Sequence, residues 1–304
     1  MRLVTFQAAD GAATPDAGGR LGAVVGEHVI DLAAASGGSL PSTMLAFIQA
    51  GPDAHQRARQ LLATGPSGVP LSSVRLLAPI PRSTRNLLCL GLNYRAHAAE
   101  GAALFGTQAT EPAFPMFFTK APTSVIGPDA TIEIDTSLTK EPDWEVELAV
   151  VIGTGGRDIA KSDAMSHIFG YTIANDISAR DLQFRHGGQF FKGKSLDTFC
   201  PLGPRIVTAD EIGDAQALDI SLTLNGVLKQ SSNTSKLIFD IPTTIAGLSE
   251  GMTLEPGDII LTGTPEGVGF ARKPPEYLQD GDVAVCEIQH IGVLSNPVRT
   301  RGGA

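Results

Sequence analysis

Apolar and polar positions along the chain fall into many short runs rather than a few long ones. From residue 86 onward, β-branched and apolar runs recur between Gly and Pro breaks, at 87–91, 116–119, 131–134, 145–152, 169–174, 218–224, 258–262 and 282–288. Runs this short and frequent predict strands. Only 96–100, 162–167 and 241–248 read as helices between them. Upstream, 3–6, 21–25 and 27–31 read as strands around a loop rich in Gly, Ala and Pro, and 44–50 and 52–63 have helix-forming composition, with Pro52 at a first-turn position. The breaks at 64–70 and at Ala78-Pro79-Ile80-Pro81 place a boundary near residue 78. The expected class is therefore α+β and β-rich: a small N-terminal α+β domain over 1–78 and a larger domain over 79–304.

One run contradicts its own pattern. Asp143-Trp144-Glu145-Val146-Glu147-Leu148-Ala149-Val150-Val151-Ile152 reads as a buried strand, yet it carries Glu145 and Glu147. Side chains two apart on a strand share a face. Two buried like charges so close raise each other's pKa or demand a cation, and a hard divalent metal suits clustered carboxylates. An edge strand with both glutamates on a wet face is the ordinary alternative. Asp176 stands at the end of a strand that begins near Phe169, just before an irregular polar turn. As a third carboxylate it would complete a site of the kind expected for Mg²⁺ or Mn²⁺; as a turn or cap residue it would do nothing of the kind.

Composition narrows the partners. The 304 residues carry a formal net charge of -9 and 42% hydrophobic residues. That is ample for a core, and it argues against nucleic acid or an anionic membrane as partner. Cys89, Cys200 and Cys286 are odd in number and have no C-x-x-C spacing, which fits reduced thiols in a cytoplasmic protein. The start Met1-Arg2-Leu3-Val4-Thr5 has no apolar signal core, and no apolar run approaches the length of a membrane span.

Three further stretches could carry chemistry. His97 and Glu100 stand at i, i+3 on a predicted helix, where a carboxylate can orient an imidazole as a general base; an exposed surface pair would show the same spacing. Lys192 and Lys194 alternate in an apolar setting, so one could point inward as a fixed positive charge. The strand 258–262 runs into Gly263-Thr264-Pro265-Glu266-Gly267-Val268-Gly269, whose backbone N–H groups and Thr264 hydroxyl could meet an oxyanion, although a plain turn explains it as well.

Five stretches in fixed order, GLNYRAHAAE, DWEVELAVVIG, GYTIANDISARDLQ, GKSLDTFCPLGP and GDIILTGTPEGVG, resemble the fumarylacetoacetate hydrolase family from about Ile80 to Val298. The resemblance implies a mixed β-sheet roll, usually a homodimer, with an extra N-terminal domain in longer members. It further implies that Glu145, Glu147 and Asp176 hold Mg²⁺ or Mn²⁺ and that His97 and Glu100 form a water-activating dyad on a lid. Lys194 and Thr264 would contact substrate, with Arg180, Gln183 and Gln189 as additional pocket residues. The implied substrate is a small 2-oxo acid. The expected activity is hydrolysis of a carbon–carbon bond in a 2,4-dioxo acid of the acylpyruvate or fumarylpyruvate type. Decarboxylation of oxaloacetate-like acids, or isomerisation or tautomerisation of unsaturated 2-oxo dioates, is the alternative on the same site, and a metal-stabilised binding protein is a third reading. The loops 101–115 and 271–277 are expected to build the distal pocket.

Overall fold

A computed structural model describes residues 1–9, 19–104 and 111–302. The central feature is a mixed sheet in which strands follow the spatial order 69–70, 28–31, 20–25, 2–8, 200–208, 168–175, 146–152, 259–261, 87–91 and 116–120. Neighbours along this path are antiparallel except 259–261 beside 87–91, which run parallel. A second sheet orders 227–233, 219–224, 283–288, 292–301 and 132–135. The β-rich α+β class and the mixed sheets read from the sequence are what the fold shows.

Val146–Ile152 is a central strand, paired with Ile168–Asn175 on one side and Ile259–Leu261 on the other. The edge-strand alternative therefore falls. Its two faces pack into different apolar clusters: Val146, Leu148, Val150 and Ile152 into one, Ala149 and Val151 into the other. Strand periodicity thus puts Glu145 and Glu147 in phase with Ala149 and Val151, where the second cluster gives way to polar groups. Asp176 is likewise in phase with Ala174, a member of that same cluster.

The segment 1–78 shares this architecture. Arg2–Ala8 pairs with Cys200–Thr208, Leu3 lying opposite Ile206. Leu3, Leu21, Met44, Phe47 and Ile48 share a cluster with Cys89, Ala149, Val151, Phe169 and Leu261. All three cysteines are free and buried. Burial raises their thiol pKa values, that of Cys200 to about 12. No helix among the described residues is long and apolar enough to cross a membrane.

Several elements escape the sequence pattern. Cys200–Thr208 carries two prolines and a glycine, and Val227–Asn233 is largely polar, so neither reads as a strand. Helices Arg180–Arg185 and Phe191–Lys194 are too short for a helical period to register. Of the loops expected to shape the distal pocket, 105–110 lies outside the described residues, as does 10–18 of the N-terminal loop.

Candidate metal and proton-transfer site

The end of the central strand carries the chemistry. Glu145, Glu147 and Asp176 each offer a carboxylate oxygen, these atoms lie within 4.8 Å of one another, and all three residues are buried. Local bonding holds them there. The Glu145 N–H donates to the Asn175 side chain at 3.0 Å, and the Asp176 N–H donates to the Glu145 carbonyl at 2.8 Å, so the two strand ends are tied across the ladder.

Cations are built in around them. The Lys194 ammonium, on the short helix 191–194, donates to Glu145 Oε2 at 2.7 Å and to Asp176 Oδ2 at 2.8 Å. Lys120, fully buried at the end of strand 116–120, donates to Asp176 Oδ1 at 2.6 Å and to the Ile177 carbonyl at 3.1 Å. Arg180 Nη2 sits 2.7 Å from Glu145 Oε1 and 2.8 Å from Asp143 Oδ2. Burial works to raise the Glu145 pKa, but Lys194, then Arg180, outweigh it and hold the carboxyl below its ordinary value. Lys194 is also opposed by burial, and the carboxylates of Asp176 and Glu145 keep it charged.

Glu147 differs. Its Oε2 accepts from the Gly263 N–H at 2.6 Å, and it has no ion pair among the described residues. Burial, then Asp176 and Glu145, push its pKa well up. Its charged form is thus the least compensated of the three, and a cation placed there would stabilise it. Each carboxylate oxygen has lone pairs beyond those its lysine or arginine partner uses. The donor set of three hard, buried oxygens therefore fits a divalent cation of the Mg²⁺ or Mn²⁺ kind, and oxygen ligands alone do not choose between these.

His97 and Glu100 share the helix Arg95–Leu104. His97 Nδ1 and Glu100 Oε2 are 3.6 Å apart, beyond hydrogen-bond range, and His97 Nδ1 is buried with no hydrogen-bond partner. The Glu100 carboxylate instead accepts from the Gly267 N–H, at 3.0 and 3.1 Å. The turn before this helix is fixed by Asn93, whose side chain bonds Phe239 at its N–H and carbonyl and the Thr262 carbonyl.

The remaining sequence candidates have the following settings. Lys194 is the inward lysine of its pair, and Lys192 is exposed. Thr264 is buried, but its hydroxyl donates to the Val146 carbonyl at 3.0 Å and accepts from Gln230 Nε2 at 2.8 Å, so it holds the strand end. Arg180 donates from Nη1 to Gln183 Oε1 at 3.0 Å and stacks 4.3 Å over the Phe270 ring. Both Arg180 and Gln183 thus spend polar atoms on protein partners. Gln189 is exposed on the turn between the two short helices and is not brought into this network.

Three contributors were missed in the sequence: Lys120, Asp143 and Gln230. Asp143 accepts from the N–H groups of Trp144, Gly269 and Phe270 as well as from Arg180 Nε. A two-residue ladder, Asp143 opposite Ser178, places it beside Arg180. Gln230 receives the Val146 N–H at 3.0 Å. A lysine closing an apolar strand, Met116-Phe117-Phe118-Thr119-Lys120, is the one available signal for Lys120.

Comparisons with known proteins show the family. The family model described as fumarylacetoacetate (FAA) hydrolase C-terminal matches residues 86–299. The mitochondrial oxaloacetate tautomerase Fahd2a of Rattus norvegicus is 44% identical over 298 residues, 98% of this chain and 91% of that protein. The oxaloacetate tautomerase YisK of Bacillus subtilis (strain 168) is 50% identical over 228 residues, 75% of this chain and 74% of that protein. Among solved structures, maleylpyruvate hydrolase from Sphingobium sp. SYK-6, in complex with manganese(II) ion and pyruvate, aligns with a TM-score of 0.78 at 33% identity over 99% of each chain.

Proposed function

The chain belongs to the fumarylacetoacetate hydrolase family, and from that premise we propose that it is a divalent-metal-dependent tautomerase, interconverting keto and enol forms of a small 2-oxo dicarboxylic acid of the oxaloacetate kind. The observation that carries the choice is the likeness to an oxaloacetate tautomerase over 98% of the chain. It favours the alternative branch of the sequence reading over carbon–carbon hydrolysis.

Glu145, Glu147 and Asp176 would hold the ion, which supplies Lewis-acid polarisation of the 2-oxo carbonyl. Lys194 and Lys120 clamp Glu145 and Asp176 at fixed spacing, so the carboxylates need no rearrangement when charge develops on the substrate. Keto and enol forms are isomers, so the protein has only to move protons. His97 Nδ1 takes the proton from C3 as the C2–C3 double bond forms, and a proton is returned to the oxygen on C2. Imidazole suits both directions near neutral pH.

The test follows oxaloacetate by NMR with the Mg²⁺- or Mn²⁺-loaded protein, alongside fumarylpyruvate. Faster keto–enol exchange with the total oxaloacetate conserved is expected. Pyruvate and CO₂ from oxaloacetate, or cleavage of fumarylpyruvate in place of exchange, would overturn the tautomerase reading. The metal assignment has its own check. Glu147→Gln is expected to keep the fold and to weaken Mn²⁺ binding by at least the roughly 10–100-fold that losing a supporting residue costs. Unchanged Mn²⁺ affinity by titration calorimetry would remove Glu147 from the ligand set.

A further inference from the structure

Tyr94 precedes His97 by three residues in the GLNYRAH stretch, and the mechanism above gives it no part. Its ring is 1% exposed, yet its hydroxyl has no hydrogen-bond partner. Buried hydroxyls are nearly always bonded, so an orphan in a rigid setting calls for a ligand or a role. The setting is rigid. Tyr94 pairs as an isolated bridge with Leu237, its carbonyl accepts from the Ala98 N–H at 2.9 Å, and Asn93 beside it is tied to Phe239 and Thr262. Rotation to find a partner is therefore restricted.

Two more buried polar atoms lack a hydrogen-bond partner. His97 Nδ1 is one, and Glu266 Oε2, in the loop that follows strand 259–261, is the other. The cations around the carboxylates are held by ion pairs: Lys120 with Asp176, Lys194 with Glu145 and Asp176, Arg180 with Asp143 and Glu145. Beside them the Tyr94 hydroxyl is a buried neutral donor that no protein group uses. On the reading that a 2-oxo acid occupies this site, we propose that the Tyr94 hydroxyl donates a hydrogen bond to the oxygen on C2 of that acid and binds its enolate form more tightly than its keto form.

Such a donor must keep its proton. Burial raises the phenol pKa, so the ring stays neutral beside a developing anion. A hydrogen bond from a neutral donor to a charged oxygen in a buried site gains strength as the charge forms. The proton itself is left to His97, which keeps the two roles separate.

The experiment uses oxalate, a dianion that mimics the C1 carboxylate and C2 oxygen of a 2-oxo acid enolate, and Tyr94→Phe, which removes the hydroxyl and leaves the packed ring. The variant should keep its Mn²⁺ affinity and melting temperature, bind oxalate about 10- to 100-fold more weakly, and lose kcat in similar proportion with KM little changed. Equal oxalate binding and equal kcat would overturn the inference. Absence of oxalate binding by the metal-loaded wild type would instead sink the 2-oxo acid reading on which it rests. A second measurement avoids the variant's fold altogether. The chain has 3 tyrosines, so ¹³Cζ-tyrosine NMR of the Mg²⁺-loaded protein resolves each ring. One signal should shift on adding oxalate, and that signal should be missing from Tyr94→Phe; no shift would count against the proposal.

Discussion

Lys120 shows how a single buried residue can hold a site without belonging to its chemistry. It is fully buried and spends its ammonium on Asp176 and the Ile177 carbonyl. Replacing it by Met would leave Asp176 beside Glu147 with one cation fewer. Removing one partner from a buried pair costs about 3–5 kcal/mol, because the remaining charge is left uncompensated. Lys120→Met is therefore expected to unfold at clearly lower denaturant, with the loss partly restored by saturating Mn²⁺. An unchanged midpoint without metal would mean that Lys194 alone neutralises Asp176. The lysine went unread in the sequence for a simple reason: its partner lies 56 residues away, and no local spacing connects them.

At the scale of elements, the loop after strand 259–261 ties the two halves of the site together. Gly263 donates to Glu147 and Gly267 donates to Glu100, both through backbone N–H groups. Gly267 has φ +99°, and a Cβ there would run into the Lys229 carbonyl oxygen. Gly267→Ala should therefore cost about 1–3 kcal/mol in backbone strain and, by shifting the N–H that anchors Glu100, lower kcat together with the melting temperature. Should both stay at wild-type values, the loop can adjust without moving Glu100. Strand periodicity made the shared face of Glu145 and Glu147 legible in advance. It did not reveal that Thr264, three residues past the strand, spends its hydroxyl on the Val146 carbonyl. That bond depends on a ladder partner more than a hundred residues away.

Across the whole molecule, His55 links the N-terminal helices to the central sheet. Its ring lies 4.9 Å from both Phe47 and Phe169, and its Nε2 is 3.1 Å from the Phe47 carbonyl. Burial lowers its pKa from 6.5, outweighing the bond to Phe47. The sign follows directly. The unfolded chain takes up this proton first, so stability falls as pH drops below about 6.5 and levels off once the folded ring is protonated too. Melting temperatures measured from about pH 7.5 to about pH 5.5 should fall further for wild type than for His55→Phe. Equal losses would assign the acid sensitivity to other groups. Phe169 belongs to strand 168–175, which leads to Asp176, so this contact joins the segment 1–78 to an element that positions the site.

What the sequence determined alone was local: apolar runs between Gly and Pro breaks set most strands, alternation put two glutamates on one face, and five ordered motifs marked the family. Only the tertiary structure decided that this strand is central rather than an edge, that Lys120, Lys194 and Arg180 already neutralise two of the three carboxylates, and that Glu147 has no ion pair among the described residues. Burial and charge compensation are sums over neighbours from distant parts of the chain. For that reason they become visible only when the strands are in register.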